Sequence, residues 1–349
     1  MKLIPLSGLT LSELEEIISP HPRFHAAQIQ KWIMRGAVDI DEMTDIPFQL
    51  RNELKKSNCI LSGRITDCLE DRFAKKIVIT LEDGQKIEAV LLEDGKNRFT
   101  ACISTQSGCP IGCVFCKTGA LKFKRNLETH EITEQIILLR SLAARKCEEE
   151  KKDHIIDNIV VMGMGEPLLN LANLRKAVEI ITDSSAMNYS KRRITVSTCG
   201  ICESLFDIAN NGPYIRLALS LVTADENLRK KLMPAAKANP LGEIKKALLL
   251  YQEKSSSRIT LEIPLLGGIN TREKDTLCAA EFAKGMDCVV NIIPWNPVYG
   301  LEFEGKPLTE PSKKETENFI SMLKKYGLKV TTRLRKGSGI MSACGQLGS

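Results

Sequence analysis

Ser107-Gly108-Cys109-Pro110-Ile111-Gly112-Cys113-Val114-Phe115-Cys116-Lys117-Thr118-Gly119 sets three cysteines at C-x3-C-x2-C spacing, directly after an apolar run at 99–104. Thiolates are the protein ligands of iron–sulfur clusters, and a four-iron cubane ordinarily takes four of them. Three close cysteines hold three irons and leave the fourth open, the arrangement that a catalytic metal site keeps and a structural one closes. Two plainer readings compete. A zinc knuckle needs a fourth ligand close by, yet the nearest downstream histidines, His130 and His154, lack knuckle spacing. Unrelated thiols packed as small hydrophobes suit a core segment, whereas Gly108, Pro110 and Gly112 mark a tight loop.

Beyond this loop the pattern alternates. Apolar strand candidates lie at 99–104, 158–163, 193–197, 214–221, 258–264 and 288–294. Between them are helical stretches at 129–146, 170–183, 201–210, 240–253 and 271–284; a helix at 313–326 precedes a last strand at 328–333. The alternation predicts an α/β fold, a parallel sheet with crossover helices. Six repeats predict a partial (βα)6 barrel, with ligands at the C-terminal ends of the strands. At those ends fall the cysteine loop, Gly163-Met164-Gly165-Glu166-Pro167, Ser197-Thr198-Cys199-Gly200, Ser220-Leu221-Val222 and Pro294-Trp295-Asn296-Pro297. One such motif is noise; five at one rim make a site.

Upstream, residues 1–60 read as an N-terminal helical domain. Leu9 to Ile18 is amphipathic, Pro20 and Pro22 break it, Gln28 to Arg35 continues, and Pro47 to Lys56 makes another helix. From 61 to 98 short alternating strands predict a small β extension, with a hairpin at Leu81-Glu82-Asp83-Gly84-Gln85-Lys86. Residues 99–335 then form the barrel, and 336–349 a C-terminal loop. A hydrophobic share of 43% and a charged share of 26% are ordinary for a globular protein. The start has no continuous apolar region, which argues against a signal peptide. No run is long enough for a membrane span. The 12 cysteines are scattered without a secreted-domain framework, which predicts a reducing, cytoplasmic location. A net charge of +6 permits a nucleic-acid partner without demanding one.

Taken singly, most candidate residues also have bland readings. Gly163, Gly165 and Glu166 fit a simple βα turn; beside a cluster, the glycines would let the backbone approach a ligand and Glu166 would accept hydrogen bonds from an ammonium group. Ser197, Ser220 and Asn296 suit turns and caps as readily as a ribose or carboxylate. Cys102, inside the first barrel strand, is readable as an inert thiol. Cys344, in Ser342-Ala343-Cys344-Gly345-Gln346-Leu347, sits in a glycine-flanked tail and reads as mobile and reactive. Glu88, in Lys86-Ile87-Glu88-Ala89-Val90, is by pattern alone a carboxylate on a solvated strand face.

The assembly SGCPIGCVFC, VVMGMGEPLLN, SKRRITVSTCG, NIIPWNP and ACGQL resembles the RlmN/Cfr family of radical S-adenosylmethionine (SAM) RNA methyltransferases. Pro167 and Trp295 point to the RlmN branch, whose members methylate adenine carbon 2 in 23S rRNA and tRNA. The resemblance implies a [4Fe-4S] cluster on Cys109, Cys113 and Cys116, with SAM chelating the open iron. It implies SAM contacts at Gly165, Glu166, Ser197, Ser220, Leu221, Val222 and Asn296. It makes Cys344 the methyl carrier, Cys102 the resolving thiol and Glu88 the proton acceptor. Two SAM molecules would be used per turnover, and release of product would join Cys102 to Cys344 in a disulfide bond, so the tail must fold back over the rim.

Three departures stand out. Val222 replaces the histidine usual in Ser-Leu-His, 233–237 lacks the usual Pro-Ile-Asn, and 337–341 lacks the usual acidic residues. Expected partners are rRNA and tRNA, an electron donor such as flavodoxin or ferredoxin, and no membrane; a monomer is expected. Basic groups suited to RNA are Lys122, Lys124 and Arg125, Lys191-Arg192-Arg193, and Arg333, Arg335 and Lys336, with Lys31, Trp32 and Arg35 as a second surface. Cfr-like methylation at carbon 8 and an iron–sulfur RNA-binding protein without turnover remain the alternatives.

Overall fold

The structure, a computed structural model, describes residues 3–95, 98–144, 156–332 and 337–348. Its frame is one mixed sheet of ten strands. In chain order these are β1 (Arg64–Glu70), β2 (Ala74–Thr80), β3 (Lys86–Glu93), β4 (Phe99–Ile103), β5 (Asn158–Val161), β6 (Ile194–Thr198), β7 (Arg216–Ser220), β8 (Ile259–Leu265), β9 (Cys288–Pro294) and β10 (Val330–Thr332). Spatial order follows chain order from β1 to β10. Strands β4 to β10 are all parallel, and β1 to β4 antiparallel.

The six expected barrel strands therefore form, with β10 as a seventh parallel member at the edge. The β extension is not a separate sheet. Strand β3 pairs with β4 through Val90↔Cys102, Leu91↔Ala101 and Leu92↔Thr100, so the sheet runs unbroken across residue 98. The pairing satisfies backbone groups on β4 that would otherwise form an open edge. The hairpin falls where the sequence placed it: Leu81 N donates to Gln85 O, and Gly84 takes a φ of +80° that suits glycine.

Ten helices of seven residues or more complete the described chain: α1 (Leu11–Ile17), α2 (Phe24–Arg35), α3 (Phe48–Ser57), α4 (Thr129–Ala144), α5 (Leu171–Thr182), α6 (Cys202–Asn211), α7 (Glu226–Leu232), α8 (Leu241–Ser255), α9 (Glu273–Ala283) and α10 (Lys313–Lys325). Helix α2 begins at Phe24, ahead of the expected Gln28. Ala26, Ile29 and Ile33 are its fully buried stripe, while Phe24 is exposed, which blurs the amphipathic signal at its start. One core cluster joins α1–α3 to α4, α5 and strands β2–β6. A second fills the space between β7–β9 and helices α6, α8, α9 and α10. Among the described residues no helix is long and apolar enough to cross a membrane.

Helix α4 is the dock for the N-terminal helices. Gly8 packs so closely that a Cβ there would lie 2.5 Å from the Cβ of His130. Glu134, fully buried on α4, accepts hydrogen bonds from Ser7 Oγ, Ser62 N, Ser62 Oγ and Gly63 N. Burial pushes its carboxyl up to about 7, against those donors, which pull it down. The folded state then binds a proton that the unfolded chain has already lost. Stability from this site is full below the ordinary carboxylate value of 4.5 and is lost as pH rises through about 7. Denaturant melts at pH 5 and pH 8 should show wild type losing up to about 3 kcal/mol relative to Glu134→Gln over that window. A pH-independent difference between the two proteins would assign Glu134 an ordinary titration.

Candidate functional site

Because β4 to β9 are parallel, their C-terminal ends open on one rim, and a cavity lies there. Cys109, Cys113 and Cys116 line it, together with Gly163, Gly165, Glu166, Ser197, Cys199, Ser220, Val222, Glu262, Asn296 and Cys344. The cysteine loop is held from three sides. Val114 N donates to Leu232 O at the end of α7, Trp295 Nε1 donates to Phe115 O at 2.8 Å, and Lys117 N donates to Gly345 O of the tail at 2.8 Å. An apolar shell of Ile111, Val222, Leu232, Met233, Leu266 and Trp295 packs against it. Trp295 is thus a support of the loop, its indole N–H donated to the Phe115 carbonyl.

Burial pushes the Cys109 thiol up to about 12 and raises Cys113 and Cys116 as well. Such thiols stay protonated until a metal displaces the proton. Among the described residues no three Cys, His, Asp or Glu side chains converge as ligands of a single ion would; a cubane instead spreads its thiolates over separate irons. A second fitting feature is Asn296, 4% exposed. Its Nδ2 donates to Cys344 O at 3.0 Å, while its Oδ1, buried at the cavity, has no partner among the described residues. An orphaned acceptor beside three thiols suits a cluster together with a polar ligand bearing donors. We conclude that the residues present fit a cluster with a bound small molecule.

The two glycines of the Gly-x-Gly-Glu motif line the cavity and also serve packing. A Cβ at Gly163 would lie 2.5 Å from Ser104 Oγ and 2.7 Å from Ile103 O; one at Gly165 would lie 2.5 Å from Gln106 Cβ. They let two strand exits pack together. Glu166 ties the same region down: Oε1 accepts from Leu168 N at 3.0 Å and Oε2 from Cys199 N at 2.7 Å. Burial raises its carboxyl above the usual range. Ser220 Oγ lies 3.1 Å from Ser197 Oγ, which donates to Glu262 Oε2 at 2.8 Å. Leu221 is buried in the core and contributes its carbonyl, not its side chain, at the rim. Val222 is fully buried with φ +63°, a strained conformation for a β-branched residue.

The tail crosses the rim as expected. Thr118 Oγ1 donates to Leu347 O at 2.7 Å and Gln346 Nε2 to Pro297 O at 2.9 Å. Cys344 lines the cluster cavity and also a second one, which Cys102 lines with Thr100, Asn158 and Thr195. Neither is disulfide-bonded, so the disulfide bond implied by the resemblance is not present in this structure. Glu88 lines neither cavity. It is buried beneath the tail, where Oε1 accepts from Lys76 Nζ and Oε2 from Gly348 N. The solvated strand face suggested by pattern alone is overturned: this is the inner face of the sheet.

Pattern reading missed Glu262 and Arg229. Glu262 is a buried carboxylate amid the apolar run of β8, and its signal was a charge at a buried strand position. Arg229, 0% exposed, donates from Nε to Leu221 O and from Nη2 to Cys199 O, joining the exits of β7 and β6. Of the basic groups, Lys122 and Lys124 are exposed just after the cysteine loop, but Arg125 is committed to Asp83 and Glu131. Lys191-Arg192-Arg193 are exposed at the opposite end of the sheet, because they precede β6, and Arg193 bonds to Asp157 ahead of β5; their expected place beside the rim is overturned. Trp32 binds Asp45. Arg333, Arg335 and Lys336 lie outside the described residues.

Comparison with known proteins places this arrangement. The profile of the Radical SAM superfamily matches residues 103–278, and that of the ribosomal RNA large subunit methyltransferase N-terminal domain matches 4–60. The chain is 45% identical to a probable dual-specificity RNA methyltransferase RlmN of Treponema denticola, over 99% of this chain and 95% of that one. It is 38% identical to the protein of the same description from Thermus thermophilus, over 94% of this chain and 90% of that one. A radical SAM methyltransferase from Sphaerobacter thermophilus has the same fold, with a TM-score of 0.91, 34% identity and 99% of each chain covered.

Glu166→Gln tests the tie between strand exits. The amide would set a donor against a backbone N–H and leave it unpaired. Denaturant unfolding should show a loss of about 1–3 kcal/mol; an unchanged midpoint would mean that the carboxylate is not a strut.

Proposed function

Since the chain belongs to the radical SAM superfamily and, within it, to the RlmN family of dual-specificity RNA methyltransferases, we propose that it methylates carbon 2 of an adenine in 23S rRNA and tRNA. The chain uses a [4Fe-4S] cluster and SAM. The observation that most supports the finer reading is the position of Cys344, one thiol facing both the cavity of the cluster cysteines and that of Cys102. A carrier that must collect a group at one place and surrender it at another belongs at such a junction.

Cys109, Cys113 and Cys116 hold the cluster, and Asn296, Ser197 and Ser220 offer an acceptor and two hydroxyls to SAM. When bound, the cluster supplies the electron that splits SAM and so the radical that removes hydrogen from a methyl group. Adenine carbon 2 is electron-poor, so it needs such a route. Cys344 takes a methyl from one SAM by displacement, with its thiol proton passing to solvent. After hydrogen removal, the sulfur-bound carbon joins adenine carbon 2 and links RNA to Cys344. The adduct must then lose one electron, for which the oxidised cluster would be the acceptor, and Glu88 accepts the ring proton. Cys102 then attacks the Cys344 sulfur; the sulfur–carbon bond breaks, and the freed carbon takes a proton to become the methyl group. The transient disulfide is returned to thiols by an external reductant. A small protein such as flavodoxin or ferredoxin suits delivery of the single electron to the cluster. The exposed Lys122 and Lys124 beside the cysteine loop suit an RNA backbone.

RNA deuterated at adenine carbon 2 tests the position. Methylation there must expel the label; label retained in the methylated nucleoside would assign carbon 8. Cys102→Ala should leave RNA covalently attached to Cys344, detected as a shifted band, and normal turnover would remove Cys102 from the scheme. Val222→His should tighten SAM binding several-fold in calorimetric titration, since it adds one hydrogen bond worth ~1 kcal/mol. Histidine also tolerates the left-handed backbone better than valine. Weaker binding would mean a pocket fitted to valine.

A further inference from the structure

Lys76 on β2 and Glu88 on β3 are diagonal cross-strand neighbours. The register sets Lys76 opposite Val90 and Val78 opposite Glu88, and Val90 in turn opposite Cys102. All of these side chains share one sheet face. Lys76 is 1% exposed and Glu88 2%, with Nζ 3.2 Å from Oε1. A buried ion pair of this kind is weak evidence for stability, because desolvating both charges offsets their attraction. Its remaining contacts indicate another purpose. Lys76 Nζ reaches Met341 O at 3.4 Å, and Glu88 Oε2 accepts from Gly348 N at 2.9 Å. These two contacts grip the tail upstream and downstream of Cys344.

We propose that Lys76 is a positioning residue: it holds Glu88 as a tail-binding carboxylate, and the pair clamps the tail on both sides of Cys344, registering that thiol against the cluster cavity and Cys102. Each side chain brings one contact to the tail. Replacing Lys76 removes the bond to Met341 O and the ammonium that holds Glu88 Oε1; replacing the Glu88 carboxylate removes the acceptor of Gly348 N and the anion beside Lys76. The chemical use of the clamped thiol rests on the function proposed above; the clamp itself rests on the contacts alone.

The test is the accessibility of Cys344 in the reconstituted full-length protein, without RNA or SAM. Wild type, Lys76→Met, Glu88→Gln and the double variant are treated with N-ethylmaleimide, and each cysteine is followed by peptide mass spectrometry. Exposed Cys68 is the internal reference for reagent, and buried Cys288 reports global loosening. Cys344 should label about tenfold faster relative to Cys68 in all three variants, the scale of one lost charge-assisted hydrogen bond in a closed–open equilibrium. Cys288 should stay protected. The double variant removes both members of the Lys76–Glu88 pair together, so its labelling separates an opened clamp from the effect of a single broken pair. Equal Cys344 rates in wild type and the double variant would overturn the proposal, as would a Cys344 rate that rises only in step with Cys288. Neither readout depends on methyl transfer, so failure of the methyltransferase reading leaves this test standing.

Discussion

Parallel strands joined by crossover helices deliver their C-terminal ends to one rim, and every group of this site depends on that constraint. Residues as distant in sequence as Cys109, Glu166, Ser197, Val222 and Asn296 become neighbours only because their strands run the same way. The rim would still be a loose ring of loops without cross-ties. Those ties are polar and buried. Glu166 binds the β5 exit to the β6 exit, Arg229 binds the β6 exit to the β7 exit, and Trp295 binds the end of β9 to the cysteine loop. In a low-dielectric interior such bonds gain strength, and an unmade one is costly, so the set behaves as a unit.

The C-terminal tail is the last tie. Its backbone bonds to Lys117, its carbonyl at Cys344 meets Asn296, and its Gly348 amide meets Glu88. The tail therefore closes over cysteine loop, rim and β3 together. That explains how one short segment sets a thiol at the boundary of two cavities; internal bonds from Ser342 N to Gly337 O and from Ala343 N to Gln346 Oε1 shape the segment itself.

Much of this was readable in the chain. Strand and helix alternation marked the sheet, because buried parallel strands are apolar runs and crossover helices are amphipathic. The motifs at strand ends marked the rim. What escaped was of one physical kind. Lys76, Glu262 and Arg229 are buried charges whose partners are remote in sequence, and no periodicity announces a partner that tertiary packing supplies. Glu88 drew a functional role from family resemblance, while its pattern suggested a solvated face. The glycines at 163 and 165 were legible as special but not as close-packing devices, since the neighbours they admit, Ser104 and Gln106, lie on another loop. The fusion of the β extension with the barrel sheet was equally hidden, because pattern shows strands but not who pairs with whom.

The β3–β4 ladder carries Glu88 and Cys102 on one face, with Ser104 Oγ bonded to the Glu88 carbonyl at 2.6 Å. Side chains alternate with a period of two, so a one-residue insertion or deletion in either strand would turn one of them to the opposite face. Substitution at the other positions of these strands could be absorbed, but a change of length could not. Descendants of this chain are free to vary in the surface loops, whereas the span from Lys86 to Ile103 is permitted length variation only in its turn.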